Sequence, residues 1–499
     1  MTRVLLVSSY ELGEQPLGLA APAEALLRAG HEVRTADVSV EEWPSADVAW
    51  CEAAGFSVPM HTAMRLGLGG FRRLREERPE VPVALYGLYA HVADELGVLR
   101  PGDIAASDDV GVALVEFAAG VGALLGHRDP VTDPLAGEGV RSAMLLPLER
   151  YARLLGRESE ILVGAVDATE GCNHRCRHCP VPVVFDGRSI PVDVDVLLRN
   201  VDELVALGAG HIHFGDPDFL NRPQHALRVS EAVHRAHPQL SFDATIKVSH
   251  LLRFPDLIGN LAACGLLFVV SAFESTSDVV LERLDKGHRA SDLSSAVAIL
   301  RGAGIEPRPS LLPFTPWTTR EEVLDLLDFV VAEDLVPNVD PVQFGIRLLL
   351  PPGSLLLENP DPLLEASIVG YDPGTLGYAW RSLDPVLDEL AEELARCTEE
   401  AAVSQAPIEE TYEQVRSRCY RAFGLADPGL PPVTALRGPP PKLRPRLSES
   451  WFCCAEPTAA QVGRFGKLNP EPLNSEPLNR EPLDPEPVAL GLPVRLRRR

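Results

Sequence analysis

Ile161-Leu-Val-Gly-Ala-Val-Asp-Ala-Thr-Glu-Gly-Cys-Asn-His-Arg-Cys-Arg-His-Cys-Pro180 joins a strand-like apolar run to three closely spaced cysteines, and the reading of that junction decides the fold. Cys172, Cys176 and Cys179 stand at CxxxCxxC spacing. One loop therefore offers three thiolates, enough for three irons of a 4Fe-4S cluster, with the fourth iron left open to another ligand. Structural zinc ordinarily takes paired CxxC or CxxC/HxxxH knuckles, and a bacterial ferredoxin run reads CxxCxxC with a fourth cysteine before proline. Neither pattern is present. His174 and His178 lie in the same loop as candidates to complete a zinc site, and cysteines also pack as small hydrophobes. The cluster is the reading that uses the whole spacing.

The rest of the composition accommodates that chemistry. The chain has 499 residues, 45% hydrophobic and 23% charged, enough for two or three domains of about 150 residues. Nine cysteines fit no disulfide framework, and an oxygen-sensitive cluster needs a reducing compartment. The start, Met1-Thr-Arg-Val-Leu-Leu-Val-Ser-Ser9, reads as a first strand and lacks a signal peptide's basic region and cleavage site, so a cytoplasmic location is expected. The most apolar stretch, Leu257 to Phe273, contains Asn260 and falls short of the roughly 20 residues that span a bilayer. A formal net charge of -25 opposes nucleic-acid binding, which needs clustered Lys and Arg.

Periodicity places two α/β modules around the cysteine loop. Residues 1 to about 125 alternate strand and helix signals, with strands expected at Val4 to Ser8, Glu32 to Ala36, Asp47 to Cys51, Val81 to Tyr86 and Asp103 to Ala106. That alternation predicts a flavodoxin-like parallel sandwich, whose ligand end would carry Ser8-Ser-Tyr10, Cys51 and Gly87 to His91. From Val192 the alternation resumes: strands His211 to Phe214, Ser241 to Ile246 and Leu266 to Ala272, then two further units ending at Pro313 and near Leu350. About six βα units starting at the cysteine loop predict a partial (β/α)6 barrel with its active face at the strand carboxyl ends. Helices are expected over Pro385 to Glu400 and Glu409 to Phe423, followed by a Pro-rich tail with a five-residue repeat from Glu471. The expected division is 1–128 sandwich, 129–160 linker, 161–355 barrel, 356–460 helical extension and 461–499 disordered repeats.

With these features the chain resembles the radical S-adenosylmethionine (SAM) family, in which such a loop follows the first strand of a partial barrel. The resemblance implies that SAM chelates the open iron and is cleaved to methionine and a 5'-deoxyadenosyl radical. It puts His178 where the family places an aromatic residue against adenine. Gly215, Asp216 and Asp218 fall where a GGE-like segment receives the SAM ammonium, a role that suits carboxylates at a strand end. Glu274 and Ser275 match the ribose-binding segment, Lys286 the partner of the SAM carboxylate with Lys247 as a second candidate, and Arg347 would point from the sixth strand to the substrate side.

The amino-terminal region resembles the cobalamin-binding domain placed before many such barrels, on Gln15-Pro-Leu-Gly-Leu19 and Gly30-His-Glu-Val33. It departs from that domain in lacking a DxHxxG motif and in reading Gly87-Leu-Tyr-Ala-His91 for GGxH and Ser107-Asp-Asp-Val110 for GExE, so cobalamin stands as a candidate cofactor. Trp451-Phe-Cys-Cys-Ala-Glu-Pro457 is similar to the tail of the CUAEP/CCAEP radical SAM proteins, where U is selenocysteine. Cys453 and Cys454 would then serve in a redox or radical-quenching step. The implied activity is functionalisation of an unactivated C–H bond of a small molecule or peptide with a flavodoxin- or ferredoxin-type reductant, and methylation if cobalamin binds. The competing readings are sulfur or selenium insertion using the tail thiols, and a non-enzymatic iron-sulfur electron carrier.

Overall fold

Arg3-Val-Leu-Leu-Val-Ser8 forms the first strand, and both of its faces are buried. Val4 and Leu6 join one apolar cluster with Leu19, Leu26 and Phe117, while Leu5 and Val7 join another with Phe56, Phe71 and Leu74. A strand covered on both sides reads as a continuous apolar run. A computed structural model describes residues 1–125, 140–156, 159–429, 443–449 and 457–463. Cys453, Cys454 and the repeats from Glu471 lie outside the described residues.

The first sheet is fully parallel. Strands β1 (Arg3–Ser8), β2 (Glu32–Asp37), β3 (Ala53–Ser57), β4 (Val83–Tyr86) and β5 (Ile104–Ala106) stand in the order β2-β1-β3-β4-β5, the flavodoxin-like order with its switch point between β1 and β3. One expected strand is displaced. Asp47 to Trp50 lies in the helix Ser45–Trp50, which Pro44 precedes and the extended Cys51 ends, and the strand is the following Ala53-Ala-Gly-Phe-Ser57. That strand must be small, because a Cβ on Gly55 would lie 2.9 Å from Leu6 and 3.0 Å from the Tyr86 ring. Packing under Leu6 and Tyr86 outweighs the low strand preference of Ala and Gly.

The second sheet is the half-barrel. Strands β6 (Arg153–Leu155) and β7 (Ile161–Val166) precede a small pair, β8 (Thr169–Gly171) with β9 (Ser189–Pro191). Strands β10 (His211–Phe214), β11 (Ser241–Thr245), β12 (Leu266–Glu274) and β13 (Glu306–Leu311) continue the parallel run from β7. Val166, Ile212, Phe214, Phe242 and Val269 face the helices in the main core. Alternate residues of these strands, among them His211, His213 and Asp243, share the inner face in register with Glu306 and Arg308 of β13. This wall is polar. The expected sixth strand is reduced to a single parallel bridge, Phe314 to Arg347, because the 3-10 turn Pro341–Gly345 and the Pro351-Pro352 pair bracket it and proline has no N–H to give a ladder.

The carboxyl-terminal region touches both sheets. The hairpin β14 (Ile368–Asp372) and β15 (Gly377–Trp380) sends its tip to the sandwich, where the Thr375 carbonyl accepts from His61 Nε2 at 2.7 Å and Leu376 joins the sandwich core. Helices Pro385–Ser404 and Ile408–Ala422 pack on the barrel through Leu387, Leu394, Tyr412 and Val415. Strand β16 (Arg446–Leu447) pairs antiparallel with β6. Just before it, Arg444 is only 2% exposed. Its guanidinium donates to the Asp334 carbonyl at 2.6 Å, the Asn338 side chain at 2.7 Å and the Asp334 carboxylate at 2.6 Å. A lysine cannot reproduce this fork, so Arg444→Lys is expected to lower stability by about 2 kcal/mol, read as a lower urea midpoint at unchanged slope; an unmoved midpoint would refute the clamp. Among the described residues, no helix is long and apolar enough to cross a membrane.

Candidate active site

The cysteine loop leaves the half-barrel immediately after β8. Gly171 makes the turn with φ +77, and a Cβ there would sit 2.5 Å from the Arg188 carbonyl. Asn221 then holds the loop: its side chain accepts from the Asn173 N–H at 3.0 Å and from the Cys172 thiol at 3.5 Å, and its carbonyl accepts from the Asn173 amide at 2.8 Å. Arg177 fastens the other side, donating through its backbone to Leu284 at 2.9 Å and through its guanidinium to the Asn359 carbonyl at 2.7 Å.

Three thiols and two lysines converge within this frame. Burial raises Cys172 and pushes Cys179 up to about 12, and each is raised further by neighbouring thiols of the same trio. Lys247 Nζ lies 3.4 Å from Cys176 Sγ, and the buried Lys286 ammonium opposes the rise at Cys179. Buried thiols that resist ionisation when empty become thiolates when a metal takes the proton's place. Three sulfur donors from one loop, faced by two ammonium groups, thus fit an anionic iron-sulfur cluster with one iron free of protein ligands.

Beside the thiols, Glu274 ends β12 in left-handed backbone, φ +61. Strain of this kind at a non-glycine residue persists only where surroundings enforce it. Here its carboxylate meets Lys286 Nζ at 2.9 Å and His178 Nε2 at 3.2 Å. Burial pushes the Glu274 carboxyl up, but Lys286 and then His178 outweigh it and hold it well below the usual carboxylate range. Lys286 is raised in turn, mainly by Glu274 against the cost of its own burial.

The remaining sequence candidates divide into two groups. His178, Lys247, Glu274 and Lys286 stand with the three cysteines. Asp216 instead accepts from the Ala168 N–H at 2.8 Å and the Thr169 hydroxyl at 2.6 Å, locking β10 to the approach of the cysteine loop. Asp218 turns to His174 and His250. Gly215 must be small, since a Cβ would lie 2.6 Å from the Asp167 carboxylate. Ser275 accepts from the Ser277 N–H at 3.1 Å. Arg347 stacks on Trp380, donates to its carbonyl at 3.0 Å and pairs with Asp388 at 2.7 Å.

Sequence reading missed the contribution of the sandwich. The loop after β1 crosses to the barrel, where Glu14 lies 3.5 Å from His213 Nε2, whose Nδ1 lies 2.7 Å from Asp243. Burial opposes charge on His213, but Asp243 and then Glu14 carry the imidazolium up to about 10. Leu17 and Asp167 also meet at Gly215. The one signal available was His211-Ile-His213, two histidines at the strand period. In the same loop, burial raises Glu11 from 4.5 to about 7, despite hydrogen bonds from the Gly18 N–H and the Ser57 hydroxyl. The folded chain therefore keeps a proton that the unfolded chain releases, a stabilisation present below pH 4.5 and lost as pH rises through 7. Glu11→Gln is expected to gain about 2 kcal/mol relative to wild type between pH 5 and pH 8, measured by urea unfolding at both; a gap that stays constant would refute it.

Residues 166–330 match the family model described as the Radical SAM superfamily. No curated protein matches the sequence significantly. Among solved structures, the cobalamin-dependent S-adenosylmethionine radical enzyme OxsB with aqua-cobalamin and S-adenosylmethionine bound superposes with a TM-score of 0.61 at 12% identity, covering 85% of this chain and 72% of that one. The radical S-adenosylmethionine methyltransferase TsrM from Kitasatospora setae, with cobalamin and a 4Fe-4S cluster bound, gives a TM-score of 0.50 at 20% identity over 67% of this chain and 74% of that one. At these identities the likeness is one of fold. With the family match spanning the thiol loop and the Glu274–Lys286 pair, residues 166–330 constitute a radical SAM domain, the kind of domain that works with a 4Fe-4S cluster and SAM, and the chain is an enzyme.

Proposed function

We propose that the enzyme functionalises an unactivated C–H bond of a polar small molecule held between half-barrel and sandwich, and that methylation is the outcome when cobalamin occupies the sandwich. One observation carries this reading: the loop at the carboxyl end of β1 meets the carboxyl end of β10 through Glu14 and His213, so the ligand ends of the two sheets face one another. When bound, the cluster supplies the electron for SAM cleavage and cobalamin supplies a methyl carrier. Cys172, Cys176 and Cys179 would hold the cluster, with Lys247 and Lys286 balancing its negative charge. Glu274 and Lys286 would orient SAM through its ribose and carboxylate, and His178 would cover adenine. His213, Asp243 and Glu14 supply polar contacts for the substrate and exclude bulk water by filling the gap between the sheets.

Three buried polar atoms support a ligand at the sandwich end. Ser8 Oγ, His61 Nδ1 and His91 Nε2 lie at the ends of β1, β3 and β4 without hydrogen-bond partners. Burial lowers His61 to about 4, so its ring is neutral with Nδ1 presented as an acceptor while Nε2 serves Thr375. These donors and acceptors fit a polar ligand such as the edge of a corrin. Cys453 and Cys454 are assigned a redox or radical-quenching step from their sequence alone, and a flavodoxin- or ferredoxin-type protein is the proposed reductant.

Anaerobic reconstitution with iron, sulfide, SAM, cobalamin and dithionite tests the reading. Formation of 5'-deoxyadenosine supports SAM cleavage, and added S-adenosylhomocysteine supports methyl transfer. Cluster-loaded protein that yields neither product would overturn it.

A further inference from the structure

Close to the thiols, but using none of them, three side chains from three separate elements meet. His174 lies inside the cysteine loop, Asp218 follows β10 and His250 belongs to the helix Val248–Arg253 after β11. Asp218 Oδ2 is 3.2 Å from His174 Nε2 and 2.8 Å from His250 Nδ1. All three atoms lie within 4.8 Å of one another.

All three atoms are shut off from water, and against the cost of its burial the two imidazoles hold the Asp218 carboxyl below its usual range. The two rings are tilted at 56° with centroids 4.8 Å apart, and one nitrogen of each converges on Oδ2. Two imidazole nitrogens and a carboxylate oxygen converging from three elements form a donor set that a cation can share. The other carboxylate oxygen, Oδ1, accepts from the Leu220 and Lys247 N–H groups at 3.3 Å each, which fixes the carboxylate and keeps Oδ2 presented, as outer-shell contacts do at metal centres. The Asp218 side chain is 1% exposed, against 26% for His174 and 12% for His250. A buried carboxylate needs a compensating positive charge.

We propose that His174 Nε2, Asp218 Oδ2 and His250 Nδ1 bind one divalent transition-metal ion of the zinc class, separate from the cluster. Two imidazoles and one carboxylate suit borderline ions such as zinc and disfavour magnesium and calcium, which prefer oxygen. Three protein ligands leave a further position for water. The ion ties the cysteine loop to the turn after β10 and to the helix after β11. Lys247, which touches Cys176, stands at the start of that helix with its N–H held by Asp218. The ion therefore sets the spacing of the loop and its lysine before any iron arrives, and its site stands whether or not cobalamin binds.

The test uses the full chain, loaded with its cluster, stripped with a mild chelator and resupplied with one equivalent of Zn2+. Expected are about one retained zinc per chain, unchanged iron, and zinc-edge X-ray absorption showing only nitrogen and oxygen scatterers at about 2.0–2.1 Å, with no sulfur near 2.3 Å. His250→Gln should bring retained zinc below about a tenth of the wild-type amount, since loss of a ligand should cost at least the 10–100-fold that loss of an outer-shell partner does. Because that variant could misfold, a full chain carrying Cys172→Ser, Cys176→Ser and Cys179→Ser is titrated with Co2+. One equivalent with weak visible bands and no thiolate charge transfer supports the site. Sulfur in the zinc shell, zinc retained by a folded His250→Gln protein, or no uptake of Zn2+ by wild type would each overturn the proposal.

Discussion

Replacing Cys172, Cys176 or Cys179 with alanine should lower production of 5'-deoxyadenosine from SAM by more than about 100-fold, since even removal of outer-shell partners at metal centres costs 10–100-fold. The loss follows from the donor count. The loop presents three thiols and the nearest cationic groups are Lys247 and Lys286, neither of which can ligate iron while protonated. A two-thiol remnant has no fourth cysteine nearby among the described residues, because Cys51, Cys264, Cys397 and Cys419 belong to the sandwich core, the barrel helices and the carboxyl-terminal helices. Serine is a useful contrast, as it keeps the shape of the loop while removing the soft donor. Iron content, visible absorbance and 5'-deoxyadenosine should fall together in all six single variants. Full cleavage by any folded alanine variant would refute the assignment of the cluster to this loop.

The second large effect concerns Glu274 and Lys286. Lys286→Met leaves a buried carboxylate facing only His178, and Glu274→Gln leaves a buried ammonium among thiols; breaking one side of a buried pair costs about 3–5 kcal/mol. The double variant Glu274→Gln/Lys286→Met removes both charges, so it should regain most of that stability, leaving a coupling energy of at least about 2 kcal/mol. SAM binding and cleavage should not return with it, since the groups proposed to orient SAM are gone. Urea unfolding and SAM affinity, measured on the same three proteins, separate the two roles. If the double variant were as unstable as the sum of the singles, the pair would not be the electrostatic unit that its 2.9 Å contact describes. If it bound SAM normally, the orienting role would fail while the structural role survived.

What the sequence disclosed depended on whether the information was local. The convergence of the three thiols was legible because residues of one loop leave their spacing in the chain, whereas Glu274 and Lys286 were singled out by the resemblance to the radical SAM family, and the structure sets them 2.9 Å apart. The parallel strands of the half-barrel were legible from apolar runs such as Leu266 to Val270. Strand β3 was not, since Ala53-Ala-Gly55 is chosen by the bulk of Leu6 and Tyr86 across the sheet and not by strand preference. Arg347 was assigned to a sixth strand that prolines reduce to one bridge, and its guanidinium serves Trp380 and Asp388. The His174, Asp218 and His250 trio was invisible for a further reason: its members come from three elements, and only the curvature of the sheet brings them together.

The pairing of β16 with β6 also has a bearing on how the polypeptide is made. About 290 residues separate Leu155 from its partner Arg446, and at roughly 5–20 residues per second a ribosome needs on the order of 15–60 s to cover that distance. Throughout that interval one margin of the nascent half-barrel stays unpaired, an invitation to intermolecular association. Late translation therefore seals an opening made early, and a chain cut short before Arg446 would be prone to clump even with the whole cysteine loop already synthesised.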